Sequence, residues 1–274
     1  MPELPEVEVT RRGIAPTLTG NRVLAVLARA PALRYPLPQD LEQKLGGHRL
    51  AAVSRRGKYL LLNFSHGHLL IHLGMSGSLR LVPAGLPAEK HDHFDLVFAI
   101  ERRKVALRLR DPRRFGAVLW LGSVAPVHPL LAVLGIEPLT EDFNAAWLKE
   151  ELDGLSAAIK PTLMDGHRVV GIGNIYASES LFRAGIDPRT PAGKISLKRL
   201  ERLVPVIKAT LAAAIDAGGS SLRDFIQSDG SSGYFQQQYF VYGRSGEPCR
   251  VCGRPIRELR QGQRATFFCT GCQR

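Results

Sequence analysis

The sequence predicts an α+β chain of several domains: an N-terminal β-sandwich, a helical middle, and a C-terminal β-hairpin finger held by four cysteines. Three observations carry this reading. Short apolar runs with turn residues between them fill residues 1–121, at the spacing of strands in a sandwich. Over 151–238 the apolar period becomes that of helices. Residues 239–274 contain the pairs Cys249-x2-Cys252 and Cys269-x2-Cys272. A connector over 122–150 separates the first two parts.

The chain opens with a short helix expected over Val7–Leu18, led in by Pro5, Glu6 and Glu8, with Pro16 near its end. Strands are expected at Arg22–Ala28, Tyr59–Phe64, His68–Leu73, Gly77–Leu81, Phe94–Ala99, Val105–Leu109 and Ala117–Leu121. Three prolines between Gly122 and Pro138 suit a connector. A helix–turn–helix-like segment is expected over Asp165–Gly185, around Val170-Gly171-Ile172-Gly173-Asn174-Ile175-Tyr176. Its Gly-x-Gly has no strand before it and no full dinucleotide fingerprint after it. It reads as a tight turn whose amides and Asn174 can meet a phosphate, or as a plain interhelix turn. Leu200, Leu203, Val204, Ile207, Leu211, Ala214 and Ile215 share one helical face, which Gly218-Gly219 terminates. Pro205 within that run either kinks the helix or marks a start.

The 274 residues are 45% hydrophobic, enough for a packed core, and carry a formal charge of +12. There is no run of about twenty apolar residues and no basic-plus-apolar leader, so a soluble, cytoplasmic protein with no membrane partner is expected. The charge is clustered. Glu101–Arg114 holds seven Lys/Arg against two acids, and Arg244–Arg274 seven Arg against two Glu. Two basic clusters suit a polyanion gripped from two sides, nucleic acid above all.

Sixteen residues separate the two cysteine pairs, and all eight histidines lie at or before His167. Cys249, Cys252, Cys269 and Cys272 therefore read as an all-cysteine tetrahedral zinc site on two knuckles. Four thiolates leave no open position, so one structural Zn²⁺ per chain is expected. Disulfides are disfavoured in a chain that is not exported.

Met1-Pro2-Glu3-Leu4-Pro5-Glu6 carries the chemistry. Processing of Met1 before the small Pro2 leaves a secondary amine at the terminus, and an α-amino group has a pKa of about 7.7–8.0. Its free form can attack carbon and form an imine, with Glu3 and Glu6 in reach to orient it or exchange protons. The same residues also make an ordinary helix start.

Taken together, Pro2–Glu6, Lys58, His72-Leu73-Gly74-Met75-Ser76-Gly77, His91-Asp92-His93, Asp111-Pro112-Arg113-Arg114-Phe115, Gly173-Asn174-Ile175-Tyr176 and the cysteine pairs resemble the bacterial formamidopyrimidine-DNA glycosylases nearly end to end. The resemblance implies a two-layered β-sandwich, a helix–two-turns–helix domain and a zinc finger. It implies base excision repair: removal of oxidised purines such as 8-oxoguanine from duplex DNA, then strand cleavage at the abasic site. By resemblance Pro2 attacks C1′ and Glu3 supplies a proton, while Lys58 and Arg264 serve the two phosphate eliminations. Arginine is a poor acid, so Arg264 reads better as a phosphate clamp. His72, His91 and Asn174 match DNA contacts. Met75, Arg113 and Phe115 match the residues that fill the gap left by an everted nucleotide. Damaged double-stranded DNA is the implied partner, and a monomer the implied state. Ser228–Phe235, rich in glycine and serine, resembles the cap over the everted base. One departure is visible: Leu155 stands where the family often has a lysine, five residues before Lys160.

Two rivals are weighed. An endonuclease VIII type enzyme shares the terminal proline but prefers oxidised pyrimidines, and fills the gap with residues other than Met75, Arg113 and Phe115. A non-catalytic architectural DNA binder would need the finger and basic clusters but neither Pro2 nor Glu3.

Overall fold

The computed structural model describes residues 2–123, 128–220 and 233–274. Residues 228–232 of the expected cap and 124–127 of the expected connector lie outside the described residues. The chain forms two compact units: residues 1–132 with 217–234, and 133–216 with 235–274.

The first unit begins with helix α1 (Leu4–Leu18) and strand β1 (Arg22–Ala28), then the short helix α2 (Leu41–Leu45). Seven strands follow: β2 (Ala52–Arg56), β3 (Tyr59–Phe64), β4 (Gly67–His72), β5 (Ser78–Pro83), β6 (Asp92–Ile100), β7 (Arg103–Arg110) and β8 (Ala117–Trp120). They form two antiparallel four-stranded sheets, ordered β1-β6-β7-β5 and β2-β3-β4-β8. Both sheets bury alternate residues in one core. Leu60, Leu62, Leu69 and Ile71 from one sheet join Phe94, Leu96, Phe98, Leu107 and Leu109 from the other, and Val7, Ile14 and Leu18 of α1 pack with them. This is the expected sandwich. Helix α1 starts at Leu4 rather than Val7 because Glu3 and Glu6 form a capping box that closes a turn earlier. β2 was not expected: its Ser54-Arg55-Arg56 run is polar, and its pairing with β3 forms the strand.

β6 departs from simple alternation and is buried on both faces, except at Ala99. Phe94, Leu96 and Phe98 face the core, while on the other face Asp95 receives Nε and Nη2 of Arg108 at 3.0 and 2.8 Å and Nη2 of Arg29 at 2.6 Å. Burial pushes the Asp95 carboxyl up, but these two guanidiniums outweigh it and hold it below the usual range.

A short helix, α3 (Pro129–Ala132), closes the first stretch of that unit. The second unit holds α4 (Ala145–Leu152), α5 (Ile159–Leu163), α6 (Asn174–Arg183) and α7 (Leu197–Asp216), followed by the hairpin β9 (Arg257–Gln261) and β10 (Arg264–Phe268). The helix–turn–helix-like segment expected over Asp165–Gly185 begins earlier than that. Its helices are α5 and α6, and residues 165–173 are turns, the first closed by His167 N–H donating to Asp165 Oδ1 at 3.0 Å. This is a helix–two-turns–helix. α7 runs through Pro205, which lies on its exposed side, while Leu200, Leu203, Ile207, Leu211 and Ala214 are fully buried. Glu179, also fully buried, accepts the amides of Phe240, Val241 and Tyr242 at 2.9–3.1 Å, which pins the chain entering the finger to α6.

Candidate active site and nucleic-acid interface

In the first unit Pro2 is buried directly before α1. Glu3 and Glu6 are each 2% exposed. Glu6 Oε2 accepts the Glu3 amide at 2.8 Å and Oε1 accepts the Ser220 amide at 2.9 Å, so this carboxylate ties the start of α1 to the segment after α7.

Lys58 occupies the two-residue turn between β2 and β3, where Arg56 pairs with Tyr59. Gly57, with φ 56°, takes the first central position, which demands positive φ. The turn is braced from α1. Arg55 Nε donates to Glu8 Oε2 at 3.2 Å, and Arg55 Nη1 to the Gly57 carbonyl at 2.8 Å. Burial raises the Glu8 carboxyl, but hydrogen bonds from Arg11 and Arg12 with the charges of Arg11 and Arg55 hold it below the usual range. Sequence reasoning missed Glu8 as a brace, because a glutamate in a first turn looks like ordinary helix chemistry.

His72 ends β4, opposite Tyr59, with ring centroids 5.0 Å apart. The Gly74 amide donates to His72 Nδ1 at 3.0 Å, so Nδ1 is the acceptor and the neutral ring carries its proton on Nε2. Burial, with Lys58 and Arg34 beside it, pushes this imidazole down to about 4. His72 is therefore a neutral donor near pH 7, not a cation.

Met75 is half-buried in the loop between β4 and β5, and Arg113 and Phe115 are exposed in the turn between β7 and β8. The two segments abut. A Cβ on Gly74, whose φ is 63°, would lie 2.4 Å from the carbonyl carbon of Phe115. The Arg113 guanidinium stands over the Phe115 ring. His91 sits just before β6, its carbonyl accepting the Asp111 amide at 3.0 Å. The first unit thus brings Met75, His91, Arg113 and Phe115 onto connected segments around Asp111, a residue to which the sequence alone assigned no role.

In the second unit Asn174 is the first residue of α6, after Gly171 with φ 81° and the extended N-cap Gly173. Lys160, 1% exposed, donates from Nζ to Asn174 Oδ1 at 2.5 Å, to Thr266 Oγ1 at 2.8 Å and to the Ala265 carbonyl at 2.9 Å. Because Oδ1 is taken, the Asn174 amide presents Nδ2 as a donor at a helix N-terminus. Lys160 joins α5, α6 and the hairpin strand that starts at Arg264. Arg264 is exposed and follows a two-residue turn, Gly262-Gln263, with Gly262 at φ 58°. Leu155 lies in the turn after α4, its carbonyl accepting the Gly193 amide at 2.9 Å.

The Sγ atoms of Cys249, Cys252, Cys269 and Cys272 all lie within 4.8 Å of one another, with Cys249–Cys272 at 3.8 Å and Cys252–Cys269 at 3.4 Å. A tetrahedral ZnS₄ centre with bonds of about 2.3 Å separates its sulfurs by about 3.8 Å, so the donor set fits. Gly271 is required here, since a Cβ would come within 2.9 Å of Cys252 Sγ.

The chain matches the formamidopyrimidine-DNA glycosylase N-terminal domain over residues 1–118, the H2TH domain of the same glycosylase over 134–226, and the zinc finger found in FPG and IleRS over 246–274. The chain belongs to the formamidopyrimidine-DNA glycosylase family. The formamidopyrimidine-DNA glycosylase of Aromatoleum aromaticum is 62% identical over 274 residues, covering 100% of both chains. That of Pseudomonas aeruginosa is 58% identical over 275 residues with the same coverage. Among solved structures, the MutM (FPG) protein of Thermus thermophilus superposes with a TM-score of 0.86 at 39% identity, covering 99% of this chain and 98% of that one. A Lactococcus lactis Fpg in complex with abasic-site DNA gives 0.89 at 35% identity, covering 99% of each. As in this family, the four cysteines form a finger with one structural zinc. Cys249 and Cys252 hold it from one knuckle, Cys269 and Cys272 from the other. No helix among the described residues is long and apolar enough to cross a membrane.

Proposed function

We propose that the protein excises oxidised purines, 8-oxoguanine and formamidopyrimidines, from duplex DNA and then cleaves the strand by β,δ-elimination. Full-length identity to formamidopyrimidine-DNA glycosylases is the observation that carries this reading. After loss of Met1 the Pro2 nitrogen attacks C1′ of the damaged nucleotide, and the C1′–N bond breaks as the base leaves with a proton. The sugar ring opens on Glu3's proton, leaving a cationic iminium between the Pro2 nitrogen and C1′. The iminium acidifies the C2′ protons, so the 3′ phosphate and then the 5′ phosphate are eliminated. Assigning the proton to Glu3 leaves intact the hydrogen bonds that Glu6 makes to Glu3 and Ser220. Lys58 serves the first elimination as proton donor. Arg264 clamps the phosphate lost in the second.

His72, His91 and Asn174 contact the phosphates around the lesion, His72 through its neutral Nε2–H. Met75, Arg113 and Phe115 fill the space of the everted nucleotide, and Arg113 reads the orphaned cytosine. Damaged double-stranded DNA is the partner, engaged by a monomer in the cytoplasm, where reduced thiolates keep zinc bound.

Borohydride trapping on 8-oxoguanine duplex tests nucleophile and substrate together. The untagged protein gives a covalent adduct, and a protein retaining Met1 or an N-terminal tag gives none. A tagged protein that traps at the full level would remove Pro2 from the chemistry. Preferential excision of oxidised pyrimidines would favour the endonuclease VIII type instead.

A further inference from the structure

Asp111 follows β7 and is fully buried. Burying a carboxylate is costly unless donors surround it. Here Oδ2 accepts the Gly116 amide at 2.7 Å, while Oδ1 accepts the Ser76 hydroxyl at 3.0 Å and the Arg113 amide at 3.3 Å. Two donors belong to the turn that carries Arg113 and Phe115. The third, Ser76, is itself 5% exposed and adjoins Met75. The backbone of Asp111 adds the histidine segment: its amide donates to the His91 carbonyl at 3.0 Å, and its carbonyl accepts His93 Nε2 at 3.1 Å. The turn is tight. Arg114 adopts φ 55°, uncommon outside glycine, and a Cβ on Gly116 would lie 2.8 Å from the His72 carbonyl. One carboxylate therefore bonds both loops at once.

From this geometry we infer that Asp111 is a positioning residue that makes Met75 and the Arg113–Phe115 pair a single wedge. The inference rests on the proposed function, since it presumes that a nucleotide leaves the stack. Asp111 is fully buried, so its effect on DNA and on the reacting atoms passes through the residues it holds. It acts by keeping two loops in one register, so that both enter the duplex together. Without it each loop must be ordered separately on DNA, and the ordering cost falls on the eversion step. Chemistry on an already opened abasic sugar, which needs less eversion, is spared.

The test uses zinc-loaded full-length protein. Asp111→Asn keeps the volume but sets an N–H₂ against an amide or hydroxyl donor. Ser76→Ala removes only the bridge and guards against failure of Asp111→Asn to fold. Three measurements are made on each: single-turnover excision of 8-oxoguanine opposite cytosine, cleavage of a pre-formed abasic duplex, and fluorescence of 2-aminopurine beside the lesion.

Asp111→Asn should slow excision about ten- to a hundredfold, the scale of one hydrogen bond to a charged group, and Ser76→Ala about three- to tenfold. Both should weaken the 2-aminopurine signal of wedge insertion and leave abasic cleavage within about threefold. In a Met75→Ala, Phe115→Ala background, Ser76→Ala should have less than about a twofold further effect, because the bridge acts only through the wedge. Equal losses in excision and abasic cleavage, additive effects in that background, or full excision by Ser76→Ala would each overturn the inference. Wild-type protein unable to excise 8-oxoguanine overturns the proposed function as well, which separates the two failures.

Discussion

The guanidinium carbon of Arg113 lies 4.9 Å from the centroid of the Phe115 ring, so cation and aromatic face are already stacked in the protein alone. Stacking holds the planar fork in one orientation before any base is met. A bidentate arginine contact to a base is worth about 1–3 kcal/mol, or roughly ten- to a hundredfold in discrimination. Arg113→Ala should therefore flatten the preference for 8-oxoguanine opposite cytosine over adenine, and leave cleavage of abasic DNA largely intact. Excision rates against each opposite base check it. Retained cytosine preference would take recognition away from Arg113.

Arg264→Ala is expected to do the reverse. Its proposed partner is a phosphate, so strand cleavage should fall while the opposite-base ratio stays put. Gel separation of β- from β,δ-elimination products reads the effect directly, and an unchanged product ratio would reject the clamp.

Cys249→Ser should lose stoichiometric zinc and most DNA affinity while the sandwich stays folded, since among the described residues its core is built from the first 120 positions. Metal analysis and circular dichroism on the same sample decide the point. Full activity in zinc-free protein would contradict a structural role.

Lys160→Met is expected to lower stability by about 2–3 kcal/mol: three acceptors lose bonds worth about 1.5–3 kcal/mol each, and relief of the desolvation cost of the buried ammonium offsets part of that loss. DNA affinity should fall with it, as Asn174 loses the bond that orients its amide. Denaturant titration and binding curves measure both. Unchanged stability would mean that water replaces the ammonium.

His72 gives a pH dependence with a definite sign. An imidazole held near 4 in the folded protein takes up its proton at about 6.5 once unfolded. Between those values the unfolded chain binds more protons, so this group's contribution to stability is present above about 6.5 and is lost as pH falls toward 4. Titration of the His72 ring by NMR should show it neutral at about pH 5.5, between the two values. A midpoint near 6.5 would refute the depressed proton affinity.

Much of this was legible in the chain. The sandwich strands alternate apolar residues in plain view, as in Tyr59–Phe64, and the cysteine pairs name their metal by spacing alone. Illegible were features whose cause is distant in sequence. Lys160 meets Thr266 across 106 positions and Ser76 meets Asp111 across 35, and no local pattern marks either. β2 escaped because a polar run becomes a strand only when β3 pairs with it. The start of α1 reads as Val7 instead of Leu4 in the sequence because one capping box can look like either a helix start or a reactive end.

Lys58 and Arg264 share a way of being held: each stands in or just after a two-residue hairpin turn that begins with a positive-φ glycine, Gly57 or Gly262. Such turns tolerate almost no change of length. One inserted residue would advance the strand by about 3.3 Å and send the following side chains to the opposite face. Both cations are therefore delivered at a preset reach, with little of the slack that long side chains on open loops have. Drift by insertion or deletion in these turns should be fatal to strand cleavage even where every charged residue survives.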